Sequence, residues 1–377
     1  MKIKNNVLTL LILFFFFLVS IECINTSKMN NVTVSCIDTV LIDNDTLFQY
    51  EMINSSGMVI RLTNYAAALT DISVPDRNGK IESVVLGFDS ISEYTKPNPK
   101  YGSTVGRYAN RIKNAEFKLD GKHYILERNN KGIHSIHGGS KGFNLRVFDV
   151  SEISCDSNKA TIVFTYRSPH LDGGFPGNLD FSISYTLTEK NEIILNYEAH
   201  TDAPTVVNFT NHSYFNLSGC NENVLSHNFY IKADSMLVTD SDGIPTGEIV
   251  TVKKTDYDFM HYRKISFPLS DGEYKYDTSY KLSKIDGELS LAAIIEHKKS
   301  GRRLKAYTTE PGMQFYISNS DMKRWVGHGN KRYMQYAGVC LEMQHFPDSP
   351  NHLNFPSTAL YPNDVYRQTT IYKFETF

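Results

Sequence analysis

Through much of the chain, apolar and polar residues alternate with a period of two, and no sustained 3.6-residue stripe competes with that pattern. In FSISYTLT (181–188), Phe181, Ile183, Tyr185 and Leu187 alternate with Ser182, Ser184, Thr186 and Thr188. ATIVFTY (160–166) and IILNYEA (193–199) repeat the arrangement. Successive side chains of a strand point to opposite faces, so such runs fit half-buried strands rather than helices. In FKLDGKHYIL (117–126), Asp120-Gly121 offers two adjacent residues that tolerate positive φ, which is what a two-residue hairpin needs. Many short strands with closely spaced turns predict an all-β fold, a large antiparallel β-sandwich. No linker, charge block or repeat divides residues 41–377, so they are expected to form one domain.

The first residues read differently. MKIKNN is followed by VLTLLILFFFFLV (7–19), an uncharged apolar run too short to cross a bilayer comfortably. This is the layout of a signal peptide, expected over residues 1–23, with secretion as the consequence. Residues 24–40, rich in Asn, Ser and Thr, read as an extension ahead of the domain. Sequons at Asn25, Asn31, Asn44 and Asn54 are expected to carry glycans. Those at Asn208, Asn211 and Asn216 fall in a strand-like run and are not. Without the signal, Cys36, Cys155, Cys220 and Cys340 remain and allow three disulfide pairings. A formal net charge of −2 gives no basic field, so neither nucleic acid nor a stable membrane partner is expected. The oligomeric state is left open.

Two places invite chemistry. In TVVNFTNHSYFNLSG (205–219), His212 stands among three asparagines in an otherwise strand-forming run. It is either a core histidine satisfied by a backbone carbonyl or a proton donor in a partly dry pocket. In GVCLEMQHF (338–346), alternation puts Val339, Leu341 and Met343 on one face and Cys340, Glu342 and Gln344 on the other. Glu342 either points to a wet face or is a base whose pKa is raised by burial.

HSIHGG (134–139) lacks a third metal ligand nearby, an HExxH or a CxxC, and no metal is expected. Gly138 and Gly139 instead allow the backbone and one imidazole close to a ligand. In GRYANRI (106–112), Asn110 and Arg111 combine donors and an acceptor suited to a hydroxyl-rich ligand. No P-loop, G-x-G-x-x-G or G-x-S-x-G is present.

Taken in order, these segments resemble the aldose 1-epimerase (galactose mutarotase) family. The matching runs include VPDRNGKIESVVLGFDSISEY (74–94), GRYANRI, SIHGGSKGFN (135–144), GFPGNL (174–179), NFTNHSYFNLSG (208–219), IPTGEI (244–249), YTTEPGMQFY (307–316) and CLEMQHFPDSPN (340–351). The resemblance covers residues 45–377. It implies a β-sandwich of the galactose mutarotase type, no cofactor, and exchange between the α and β anomers of aldohexoses such as glucose and galactose.

By the same resemblance, His212 is the general acid and Glu342 the general base, with the asparagines around His212 as polar partners. Asn110, Arg111, His137, Asp277 and Gln314 are implied as sugar-binding residues. At Asp277 the context departs, since Thr278-Ser279 follow where the family usually has His-Asn or similar. The rate is expected to follow a bell, and a flat profile between roughly pH 5 and 8, where imidazole ordinarily titrates, would count against this pair. The alternatives are a secreted carbohydrate-binding protein and a glycoside hydrolase on a related sandwich, using Glu342 with Asp277. A hexose-phosphate branch would need an arginine cluster, for which Arg302-Arg303 is the only adjacent pair.

Overall fold

A computed structural model describes residues 32–265, 276–318 and 322–377. The signal peptide expected over 1–23 and the sequons at Asn25 and Asn31 lie outside them. Among the described residues there are strands and short 3-10 turns but no α-helix.

Three large sheets carry the fold, all antiparallel. The largest has eight strands in the order Asp149–Cys155, Lys159–Ser168, Leu179–Thr188, Glu192–Thr201, Tyr366–Thr376, Arg302–Thr308, Ser290–His297 and Asn228–Ile231. The runs with period two lie here. Phe181, Ile183, Tyr185 and Leu187 are buried, and Ser182 and Ser184 are half-buried. A six-stranded sheet runs Tyr214–Phe215, Val339–Gln344, Gly312–Ile317, Asp277–Lys281, Ser235–Thr239 and Pro245–Thr251. A five-stranded sheet holds Thr33–Ile42, Asp45–Ile53, Val59–Thr63, Ala68–Pro75 and Ile81–Ser83.

One apolar cluster joins all three. Ile162, Phe164, Ile183 and Leu195 of the large sheet share it with Leu62 and Ile72 of the five-stranded sheet and Met313, Phe315 and Leu341 of the six-stranded one. Burying that surface, at about 25 cal/mol per Å² of apolar area, is the main drive to stack the sheets. The Asp120-Gly121 hairpin forms as the sequence predicts: Glu116–Leu119 pairs with Lys122–Ile125, and both turn residues have positive φ.

The N-terminal boundary differs. Thr33–Ile42 is a full edge strand paired with Asp45–Ile53, so the fold reaches back into the segment read as an extension over 24–40. Val32 and Val34 enter the core, which an Asn- and Ser-rich composition obscured. Cys36, Cys155, Cys220 and Cys340 are all free thiols.

Candidate active site

Short ladders draw the motif segments together. Thr104–Val105 pairs with Thr210–Asn211, and Arg111–Ile112 pairs with Ser135–Ile136. A bridge joins Tyr108 to Asn208. Tyr214 then pairs with Cys340 on the edge of the six-stranded sheet, which brings the chain around His212 beside the strand that holds Glu342.

His212 is fixed through its backbone: its N–H donates to the Ser103 carbonyl (2.9 Å), and its carbonyl accepts from Gly102 N–H (3.0 Å). The ring stacks on Tyr214, and Nε2 lies 3.7 Å from Oε1 of Glu342. Its other nitrogen, Nδ1, is 3.5 Å from Cys340 Sγ. Burial pushes the thiol well up, so the sulfur keeps its proton and can either donate to Nδ1 or accept from it.

The asparagines expected to partner the imidazole do something else. Asn211 donates to the Gly102 carbonyl and the Tyr185 hydroxyl. Asn208 spans to the carbonyls of Ala109 and His345, and Asn216 to those of Glu222 and Ala337. An amide with two donors can tie two strands at points where no ladder does, and all three are used that way. Each is buried.

The strand Val339–Gln344 is buried on both faces, which removes the wet-face reading of Glu342. The carboxylate is 3% exposed, and its Oε2 has no hydrogen-bond partner. Burial raises its pKa to about 8, helped by the negative charge of Asp277 and opposed by Arg111 and Lys100. Burial lowers His212 to about 3, and the positive charge of Lys100 pushes the same way. The pair therefore keeps one proton at neutral pH, and that proton rests on Glu342. The structure moves the imidazole out of the range between roughly pH 5 and 8, because full desolvation, rather than partial burial, acts on it.

His137 sits at φ +53, where its Nδ1 accepts the backbone N–H of Asn110 (3.2 Å) and its own N–H returns to the Asn110 carbonyl (3.0 Å). Nδ1 being an acceptor, Nε2 carries the proton. Gly138 (φ +81) makes this approach possible, since a Cβ there would lie 2.0 Å from the Gly106 carbonyl oxygen. Asn110 Oδ1 accepts from the Arg111 backbone (2.9 Å) and guanidinium (3.3 Å). Arg111 also reaches Asp277 at 3.4 Å.

Asn110, Arg111, His137, His212, Asp277 and Glu342 all face one cavity of about 600 Å³. Gln314 does not line it. This glutamine is buried behind Asp277, donating to its Oδ1 (2.5 Å) while its Oε1 takes the Ser279 hydroxyl. Both polar ends are spent, so Gln314 holds Asp277 in place rather than presenting a free group to the cavity. The Thr278-Ser279 pair that departs from the family pattern supplies the serine of this contact.

His137, His212 and Glu342 each put one ligand atom within 4.8 Å of the others, a set that could close on a divalent cation. Only His137 of HSIHGG belongs to this set, and folding supplies the other two members, His212 and Glu342. The arginine pair considered for phosphate lies elsewhere: Arg302 bonds Glu82, and Arg303 pairs with Glu296 and Glu375.

Sequence reasoning missed Cys340 as a partner of His212, although alternation had put it on the face of Glu342. It also missed Lys100, Tyr214, Tyr316, Arg324 and Trp325 on the cavity wall. Trp325 is the only tryptophan in the chain, a usable signal; for Lys100 there is none.

Against known proteins, residues 49–373 match the family model described as aldose 1-epimerase. The chain belongs to the aldose 1-epimerase family. The galactose mutarotase of Bos taurus is 37% identical over 324 residues, covering 85% of this chain and 92% of that one. The aldose 1-epimerase of Escherichia coli K12 is 35% identical over 329 residues, covering 85% and 93%. Among solved structures, the GalM/aldose epimerase homologue from C. elegans superposes with a TM-score of 0.78 at 32% identity, covering 85% and 96%. The galactose 1-epimerase from Lactobacillus acidophilus NCFM has a TM-score of 0.78 at 27% identity, covering 92% and 98%. As an aldose 1-epimerase family member this chain is an isomerase on an all-β, galactose mutarotase-like fold.

Proposed function

We propose that this mutarotase opens and recloses the ring of a free aldohexose with Glu342 and His212 as its two proton carriers. The observation that carries this is the 3.7 Å approach of His212 Nε2 to Glu342 Oε1, with Glu342 Oε2 unpartnered in the same cavity. The hydroxyl and the ring oxygen of a cyclic sugar are bonded to one carbon, so two adjacent carriers suit them. The pair's one proton first shifts from Glu342 to His212; Glu342 then takes the proton of the C1 hydroxyl as His212 gives one to the ring oxygen. The C1–O5 bond breaks and an aldehyde results.

Rotation about C1–C2 presents the other face. Closure then reverses both transfers, and the pair ends as it began. Each transfer contributes on the order of 10²–10⁴-fold. The opened complex leaves Glu342 protonated and His212 neutral, which is the uncharged arrangement that burial favours. Desolvation of the pair thus offsets part of the cost of ring opening. Meanwhile Asn110, Arg111, His137 and Asp277 hold the remaining hydroxyls, so that only C1 turns.

A glycoside hydrolase would need Asp277 as a second free carboxylate, but Arg111 and Gln314 already occupy it. A binding protein has no use for an unpartnered buried carboxylate beside an imidazole. Secretion is part of the same proposal and rests on the leader-like sequence of residues 1–23. Among the described residues no helix is long and apolar enough to cross a membrane. Magnetisation-transfer NMR of anomer exchange, run with glucose and galactose, tests the activity; absence of enzyme-dependent exchange in both would overturn it.

A further inference from the structure

A neutral hexose needs hydrogen bonds, yet this cavity also holds a cation that no ion pair fixes among the described residues. Lys100 lines the same cavity as His137, His212 and Glu342, and its charge acts on all three. The loop behind it is built rigidly. Asn98 Oδ1 accepts the Lys100 N–H (2.7 Å), Asn98 Nδ2 donates to the carbonyls of Tyr94 and Lys96, and the Tyr214 hydroxyl donates to the Pro99 carbonyl (3.1 Å). Lys100 itself stands at φ +65.

No ion pair or hydrogen bond holds its ammonium among the described residues. The other charges of the cavity do not cancel it. Arg111 and Asp277 pair with each other. Arg324, stacked over Trp325 at 4.9 Å, adds a second positive charge on the cavity wall. Three cationic side chains, Lys100, Arg111 and Arg324, thus face two carboxylates, Asp277 and Glu342, and Lys100 is sheltered enough for burial to lower its pKa although the charge of Glu342 opposes this. An unpaired ammonium in such a place is costly unless the ligand brings the counter-charge.

We propose that Lys100 binds the C6 carboxylate of a hexuronic acid, making uronates a preferred substrate class of this site. The inference rests on the roles given above to His212 and Glu342. With His212 at the ring oxygen, C5 is the next ring atom and its C6 substituent lies beyond His212, and Lys100 is the charge that acts most on His137 and His212. A single compact ammonium matches a singly charged carboxylate. A phosphate would favour the forked donors of several arginines beside the ammonium; of the two on the cavity wall, Arg111 is paired with Asp277 and Arg324 lies over Trp325. Arg324 serves to draw anions toward the cavity.

The test compares kcat/KM for anomer exchange of glucuronate, galacturonate, glucose, galactose and glucose 6-phosphate in the full chain and in Lys100→Met and Lys100→Arg. The wild type is expected to favour a uronate over its neutral hexose, and Lys100→Met to lower that ratio about tenfold or more, with Lys100→Arg restoring part of it. A ratio unmoved by Lys100→Met, or a wild type that prefers the 6-phosphate, overturns the proposal. Residual exchange of glucose by the variant reports that it is folded. Loss of exchange with every sugar in the wild type itself would instead overturn the assignment of activity.

Discussion

Cys340 Sγ lies 3.5 Å from His212 Nδ1, two residues before Glu342 on the same face of one strand. A single strand thus carries both the base and a group that touches the second nitrogen of the acid. Cys340→Ala should lower kcat by about tenfold, the worth of one buried hydrogen bond, with little change in KM. Cys340→Ser, which restores a donor, should recover most of it. The deciding readout is the nitrogen NMR of His212: with the thiol as donor, the Nε2–H form should dominate in the wild type and lose its dominance in Cys340→Ala. An unchanged tautomer would show that the thiol merely fills space.

Glu342→Gln keeps the shape of the side chain and removes its ability to accept a proton. Sugar affinity should persist while kcat falls by 10²-fold or more, the scale of one positioned transfer. Near-normal turnover in this variant would dismiss Glu342 as the base.

The pH profile follows from the two shifts. Glu342 is raised to about 8, so the pair keeps its single proton until the pH climbs through that value. His212 is lowered to about 3, so a second proton arrives only when the pH falls through that one. Exchange needs one proton on the pair, hence kcat/KM should be level from roughly pH 5 to 7 and decline above about 8. Measurement must subtract the uncatalysed exchange at each pH. A midpoint in the range of an ordinary imidazole would mean that His212 is hydrated and not buried.

Glycan occupancy should follow burial. Asn44 lies exposed in the turn after the first strand, whereas Asn54 is buried, its amide bonded to Thr188 and Asn191. The structure thus removes Asn54 from the acceptors expected from its sequon alone. Glycopeptide mass spectrometry of secreted protein should find Asn44 modified and Asn54, Asn208, Asn211 and Asn216 bare. A glycan on Asn211 would be incompatible with the packing around His212.

What could be read from the chain divides by range. Alternation in FSISYTLT and the Asp120-Gly121 turn are local, and both held because pleat and turn geometry act over a few residues. His212, Glu342, His137, Asn110, Arg111 and Asp277 were located through motifs, and they meet in one cavity. Gln314 shows the limit: a motif marks a position without saying which neighbours will use up its amide. Lys100 shows another, because a lysine before Tyr101-Gly102 looks like any surface charge until the loop folds inward. The role of the asparagines near His212 was hidden for the same reason, since their partners at Gly102, Ala109 and Ala337 are distant in sequence.

The ladder that seats His212 beside Glu342 is two residues long, Tyr214 to Cys340 and Phe215 to Val339. It joins positions more than a hundred residues apart, so most of the chain must be in place before it can close. Closing so long a loop carries an entropic cost that no local strand pairing shares. Catalytic competence is therefore a property of the finished fold, and a half-assembled molecule, however rich in strands, has its acid and its base on unconnected pieces.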